Sequence, residues 1–300
     1  GSEMCIRDRD EFEIKGEDNV RIINIPDSVR ILGYNALTRF DNLEVLNIGS
    51  GVERISGFLD CKLSKYVFEG FGYSSTDSSG TGYLPTYIPA LEADTLKSIN
   101  VSEDNQVFSS VDGLLLSKSG DVLLQIPGAT TGVFEVPDYV TSVDSSKAFY
   151  GCNKITELYF HDNFSLDSMH LYMKGLEKIH FGEKMSFTPN FVKDCQALKE
   201  IKFSVGSEYT SSNGMAYSKD MTKFTCCPPG RQGEIVLDGR TKVVGSNAFS
   251  NCKNVTNIVM PEGLQKIESY AFDHCTGLEC IKVPNTVTEI GNKAFVYCDN

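Results

Sequence analysis

Ala248-Phe249-Ser250-Asn251-Cys252, Ala271-Phe272-Asp273-His274-Cys275 and Ala294-Phe295-Val296-Tyr297-Cys298 are three copies of one phrase, recurring every 23 residues. Self-similarity at a fixed period of about 20–50 residues marks stacked repeats, each burying its apolar side only against its neighbours. The phrase predicts like side chains piled into interior columns, with Phe249, Phe272 and Phe295 together in one of them.

Outward from that phrase, a second one precedes each copy: an apolar residue, two free positions, an apolar residue, one free position, and an apolar or aromatic residue. It begins at Val20, Leu43, Leu63, Leu96, Ile155, Leu176, Leu198, Val255 and Leu278, with shortened versions at Phe134-Glu135-Val136 and Ile235-Val236-Leu237. Its last three positions alternate in, out, in, which is the period of a half-buried strand. Pro26, Pro137, Pro261 and Pro284 follow at once and stop the strand, since proline has no N–H to donate. After Pro284, Val287 and Ile290 are expected to point inward; after Pro26, Val29, Leu32, Gly33 and Ala36 repeat the layout, with Leu37 in the Phe place. The fold class predicted is a repeat solenoid, mostly β. A parallel strand row is joined by short turns or 3-10 segments, in roughly eleven coils.

A longer period lies over the short one. Asp112-Gly113-Leu114-Leu115-Leu116-Ser117-Lys118 resembles Asn213-Gly214-Met215-Ala216-Tyr217-Ser218-Lys219, so residues 102–203 read as duplicated in 204–300. Each copy opens with two apolar runs around a polar turn, a β-hairpin projecting from the solenoid or widening it. The whole chain, 1–300, is read as one solenoid with an N-terminal arm at 1–19. Residues 69–95 break the period; Gly70-Phe71-Gly72-Tyr73-Ser74-Ser75 lacks the strand-then-helix setting of a nucleotide loop and reads as an irregular surface loop. The C-terminal coil, stopping at Cys298-Asp299-Asn300, reads as truncated from a longer protein.

Bulk properties narrow the function. A net charge of −12 opposes a nucleic-acid role, which needs a clustered basic footprint. No apolar run is long enough to span a bilayer. Ten cysteines in 300 residues are too dilute for a disulfide scaffold. The Gly1-Ser2 opening reads as a cloning remnant, with any native export signal removed ahead of it.

With these residues in view, the chain resembles the BspA-type leucine-rich repeat family of bacterial surface proteins. The resemblance rests on Leu-x-x-Ile-x-Val-Pro paired with Val-x-x-Ile-Gly-x-x-Ala-Phe-x-x-Cys, clearest at 255–298, and on the Asp-Gly and Asn-Gly hairpins followed by Pro127-Gly128 and Pro228-Pro229-Gly230. It implies a curved solenoid, secretion or surface display, and adhesion or host-protein binding. It carries over no catalytic residues.

Candidate chemistry is sparse. Cys61, Cys152, Cys195, Cys252, Cys275 and Cys298 share one repeat position and read as a buried structural column, since free cysteine behaves as a small apolar residue. Stacked cysteines run parallel about 4.8 Å apart, which suits neither a disulfide nor converging metal ligands. Cys226-Cys227 and Cys280 lie outside that column. Asn100, Asn163 and Asn254 match the glycosylation pattern at a frequency near chance. The remaining candidate is the outward side of the strand row: Glu157, Tyr159, Lys178, His180, Glu200, Lys202, Asn257, Val259 and Lys282. Any half-buried sheet shows polar residues outward, yet Tyr159, His180, Lys202 and Lys282 are expected to align as an aromatic-to-basic stripe suited to a protein or glycan. The expectation is a non-enzymatic binding module, extracellular or on a cell surface, without cofactor, metal, nucleic acid or membrane insertion. A structural spacer is the alternative. Ligand identity and oligomeric state stay open.

Overall fold

The computed structural model describes residues 19–32, 36–37, 40, 42–55, 95–143, 146–165 and 169–298. The backbone winds as a β-solenoid of about nine coils of roughly 23 residues, with almost no helix. Roughly eleven coils were expected; the nine are those of the described residues, where the hairpin segments spend chain on antiparallel strands.

The first stretch holds β1 (Ile22–Ile25), β2 (Ile31–Leu32), β3 (Val45–Ile48), β4 (Arg54–Ile55) and β5 (Ser98–Val101). Here β1, β3 and β5 pair in parallel as the strand row, and β2 pairs with β4 as a second, shorter row. Next come β6 (Phe108–Val111), β7 (Leu114–Ser117), β8 (Val122–Gln125), β9 (Gly132–Glu135), β10 (Ser142–Val143), β11 (Ile155–Tyr159), β12 (Lys178–Phe181) and β13 (Glu200–Phe203). Strands β9, β11, β12 and β13 continue the parallel row, while β6, β7 and β8 form an antiparallel meander whose β8 pairs in parallel with β10. The last stretch repeats this layout with β14 (Tyr209–Ser212), β15 (Met215–Ser218), β16 (Lys223–Cys226), β17 (Gln232–Val236), β18 (Val243–Val244), β19 (Asn254–Val259), β20 (Lys266–Ile267), β21 (Cys280–Ile281) and β22 (Glu289–Ile290).

The two hairpins are each one strand larger than the sequence suggested. The added strand precedes a tight turn in which both central residues are left-handed, Asp112 and Gly113 at φ 51° and 79°, Asn213 and Gly214 at φ 49° and 72°. Those angles suit a primed hairpin turn, whose twist matches the flanking strands, and Asx-Gly is the dipeptide that adopts it most cheaply. Nor do the hairpins simply project. Their middle strands are buried on both faces: Leu115 belongs to the N-terminal core, Leu114 and Leu116 to the central one. Likewise Ala216 faces the central core, and Met215 and Tyr217 the C-terminal one. Strand alternation sends successive residues to opposite sides, so each middle strand is a wall between two core segments. That role explains a run of three apolar residues, Leu114-Leu115-Leu116, in a sheet that otherwise alternates.

Coils are joined by one repeated bond beside the Ala-Phe phrase. Phe249 N–H donates to the Ala271 carbonyl at 2.7 Å and Phe272 N–H to Ala294 at 2.8 Å. The same bond runs from Ile126 to Ala148, from Cys227 to Ala248 and from Leu171 to Phe191. Ile126, Cys227 and Leu171 therefore occupy the Phe place of coils whose sequences hide it. Close approach of coils also dictates glycine: a methyl on Gly175 would stand 2.1 Å from the Asn153 carbonyl oxygen, and one on Gly277 2.3 Å from that of Lys253. One expected inward residue is exposed. Ile290 is 52% exposed although its register partner Ile267 is fully buried, because β22 is covered by a neighbouring strand on one side only.

Candidate functional site

The outward face of β9, β11, β12 and β13 is set by strand alternation and parallel register. Val133, Glu157, Lys178 and Glu200 form one cross-strand row, and Glu135, Tyr159, His180 and Lys202 the next. Between them, Leu158, Ile179 and Ile201 point into the core. Directly opposed side chains on neighbouring strands lie about 4.5–5.5 Å apart at Cβ, so these rows interact along their length.

Glu157 is the hub. Its carboxylate accepts from Lys178 Nζ at 2.9 Å and from the Tyr159 hydroxyl at 3.0 Å. The Lys178 and Tyr159 bonds hold the Glu157 carboxyl below its ordinary range. The same contact raises Lys178 and raises the Tyr159 phenol. Lys202 Nζ sits 3.0 Å from Glu200 Oε1. The Tyr159 and His180 rings lie 5.6 Å apart, tilted 39°. Burial lowers His180, the Lys202 charge lowers it further, and Asp162 pulls the other way. Its imidazole is thus held neutral at neutral pH, beside an exposed ammonium.

Of the predicted stripe, the structure brings together Tyr159, His180 and Lys202. Lys282 stands apart, just beyond β21 in the separate sheet of β17, β19 and β21. The interruption is physical: the second hairpin wall lies between β13 and β17, so the strand row does not run unbroken from one to the other. Asn257 is in that same sheet, donating to Glu234 Oε2 at 2.7 Å, next to the exposed, mutually registered Val236 and Val259.

An outward feature not anticipated from the sequence lies on the first sheet. Asn47 Nδ2 donates to Asn24 Oδ1 at 2.6 Å, and Asn100 Nδ2 to Asn47 Oδ1 at 2.8 Å, forming an amide ladder across β1, β3 and β5. The signal was present: Asn stands between apolar residues at the same repeat position in Ile23-Asn24-Ile25, Leu46-Asn47-Ile48 and Ile99-Asn100-Val101.

Away from the strand face, Cys152, Cys195, Cys252 and Cys275 are buried, Cys298 is half-buried, and all five are free thiols. Cys61 and the loop at 69–95 lie outside the described residues. Each thiol of the column donates to a carbonyl of the preceding coil, Cys195 to Leu171 at 3.4 Å, Cys275 to Phe249 at 3.1 Å and Cys298 to Phe272 at 3.0 Å. Burial pushes the Cys152 and Cys195 thiols up to about 12. Cys226 and Cys227 are also buried and free, while Cys280 is exposed. Among the described residues no group of three or more His, Cys, Asp or Glu converges on a possible metal position. No described helix is long and apolar enough to cross a membrane.

Comparison with known proteins accords with this architecture. The sequence profile described as the BspA type leucine rich repeat region matches six copies, over residues 10–78, 131–232 and 231–300. No curated protein matches the sequence closely enough to count as a relative. Among solved structures, the pneumococcal vaccine antigen PcpA shares 17% identity at a TM-score of 0.51, over 93% of this chain and 70% of that one. A leucine-rich repeat protein from Eubacterium ventriosum shares 18% identity at a TM-score of 0.41, over 95% of this chain and 84% of its own. A leucine rich cell surface protein from Faecalibacterium prausnitzii shares 18% identity at a TM-score of 0.42, covering 91% of this chain and 54% of its own. With its period, its coil-to-coil bonds and a profile match over more than half of its length, the chain belongs to the BspA-type leucine-rich repeat family.

Proposed function

We propose that this chain is a non-enzymatic binding module of a bacterial cell-surface or secreted protein, and that it meets a protein or glycan partner through the outward face of β11, β12 and β13. The observation that carries the reading is the alignment of Tyr159, His180 and Lys202 in one cross-strand row, with the two rings in contact. A neutral imidazole between a phenol and an ammonium offers apolar area, donors and one positive charge on a rigid sheet. Aromatic residues on ordered scaffolds suit partner contact because they lose little conformational entropy. Surface display belongs to the same reading, and the pneumococcal protein that shares the fold is a vaccine antigen.

The test is the triple variant Tyr159→Ala, His180→Ala, Lys202→Ala, compared with the parent for attachment to epithelial cells and to a matrix-protein coat. Attachment weakened tenfold or more, with unchanged far-ultraviolet circular dichroism, supports the reading; unchanged attachment refutes it. One observation favours the alternative of a spacer holding another domain away from the surface. The charges on this face are largely paired with one another, Glu157 with Lys178 and Glu200 with Lys202. A self-neutralised coat of that kind is what a solvated sheet needs for solubility alone.

A further inference from the structure

The second hairpin wall ends in two adjacent thiols, and strand alternation sends them apart. Cys226, the last residue of β16, faces the central core, whereas Cys227 faces the C-terminal core together with Cys252 of the next coil. Cys227 and Cys252 are buried and free. They hold different places in the repeat, Cys227 the Phe place and Cys252 the Cys place. Coil stacking sets each Cys-place thiol against the carbonyl of the residue in the Phe place of the preceding coil: Cys152 on Ile126, Cys195 on Leu171, Cys275 on Phe249 and Cys298 on Phe272. At one junction alone, among the described residues, the residue in the Phe place is itself a thiol.

A contact between two sulfurs follows. Cys252 Sγ lies 3.6 Å from the Cys227 carbonyl oxygen, and both sulfurs reach the Pro228 carbonyl oxygen, Cys227 at 3.7 Å and Cys252 at 4.0 Å. The two thiols are hydrogen-bond neighbours as well, and that bond adds to burial in pushing the Cys252 thiol well above its ordinary range. Other pairings are less favoured by the geometry. Cys252 and Cys275 share one repeat position in successive coils, and the Cys275 thiol is directed onto the Phe249 carbonyl at 3.1 Å. Cys226 lies on the far side of the wall it belongs to. A disulfide needs two cysteines on converging vectors, with Cβ atoms about 3.8 Å apart, and Cys227 and Cys252 are the pair whose thiols meet within one core from different repeat positions.

We propose that Cys227 and Cys252 close as a disulfide between coils when the chain folds in the presence of a small-molecule disulfide, and that the bond pins the second hairpin wall to the coil beyond it. One cysteine, as its thiolate, attacks a sulfur of the reagent, forming a mixed disulfide and releasing one thiol; the other cysteine then displaces the second. Two protein S–H bonds and one reagent S–S bond become one protein S–S bond and two reagent thiols, which carry off both protons and both electrons. Burial sets the timing. In the finished coil both sulfurs are shielded and the Cys252 thiol resists ionisation, so the exchange belongs to the closing of this coil rather than to the native protein. The two cysteines are 25 residues apart in the chain, and a bridge between them restricts the unfolded state.

The test is to unfold the reduced protein in urea, refold it with oxidised and reduced glutathione, alkylate the remaining thiols and digest with trypsin. The expected product, read by mass spectrometry, joins the peptides Phe224–Arg231 and Val243–Lys253. Cys226 shares the first peptide, so the same link should persist in Cys226→Ser and vanish in Cys227→Val. The valine variant keeps an apolar side chain in a place that elsewhere holds Ile126 and Leu171, which preserves the fold. The bridged protein should melt about 5 °C or more above its reduced form, a difference absent from Cys227→Val. Native reduced protein should acquire the bridge about tenfold or more slowly than refolding protein. Recovery of both cysteines alkylated after oxidative refolding, a link through Cys226 or Cys275 instead, equal rates in native and refolding protein, or a bridged form that melts no higher than the reduced one overturns the proposal.

Discussion

The central coils and the C-terminal coils solve one packing problem with their aromatic residues in different columns. In the C-terminal coils the rings stand in the Phe place: Phe249, Phe272 and Phe295 stack at 5.2 and 4.9 Å, with planes within 20° and 7°, and Phe224 of β16 continues the stack at 4.8 Å. The last inward position of the row strand is aliphatic there, as Leu237, Met260 and Val283. In the central coils the assignment is reversed. Phe160, Phe181 and Phe203 hold that strand position and stack at 6.1 and 5.4 Å, while Leu171 and Val192 hold the Phe place. Even the Ala place is enlarged to Phe191, whose ring meets Phe181 edge-on at 5.2 Å. What differs between the two regions is which column supplies the rings, and the register between coils is kept in both. Cores accept a relocation of apolar volume better than a net gain or loss at one site.

The largest expected effect tests that comparison directly. Phe181 is stacked against Phe160 and Phe203 and edged by Phe187 and Phe191. Phe181→Ala should therefore cost about 4–5 kcal/mol in urea unfolding, against about 3–4 kcal/mol for Phe272→Ala, whose ring has stacked neighbours on two sides only. Writing the C-terminal arrangement into the central coil, with Phe181→Met, Phe191→Ala and Val192→Phe together, should be at least about 1 kcal/mol less destabilising than the three single costs added. Strict additivity would show that the three columns do not compensate for one another in the central coil.

A smaller effect is expected along the cysteine column. The thiol bond is 3.1 Å at Cys275 and 3.8 Å at Cys152, so Cys275→Ala should destabilise more than Cys152→Ala by about 0.5–1 kcal/mol. In the native protein a disulfide-exchange reagent should label exposed Cys280 and leave Cys152 and Cys195 unreacted, since their thiols are buried and pushed up to about 12. Prompt labelling of either would mean that the central coils open more readily than the stack beside them.

The smallest effect is a pH dependence confined to the central face. His180 is lowered in the folded state by burial and by Lys202, so the unfolded chain binds the proton more strongly. Stability should be fully present above the unfolded value, near pH 6.5, and should decline as pH falls through it. His180→Asn should flatten the urea midpoint between about pH 7.5 and 5. A midpoint that rises on acidification in the parent would reverse the assigned direction.

Where the repeat is spelled plainly, at 255–298, the strands fall where the period puts them and the apolar residues keep their columns, apart from the exposed Ile290. It is silent where another residue fills a column. Nothing local marks Ile126, Cys227 or Leu171 as standing in the Phe place; only the bond each makes to the next coil reveals it. The hairpins were recognised from their turns, but not as walls, since burial of both faces depends on a core segment being present on either side. The strand-face candidates Tyr159, His180 and Lys202 could be aligned from alternation alone, whereas the separation of Lys282 depends on where the second hairpin crosses the row.

By itself the sequence determined the solenoid, its period and the inward or outward sense of each strand residue, because those follow from local repetition and from the two-residue alternation of a strand. Only the tertiary structure decided which outward residues become neighbours and where the core is divided. Those outcomes are set by hydrogen bonds between coils some 20 to 25 residues apart, and no local pattern records such bonds.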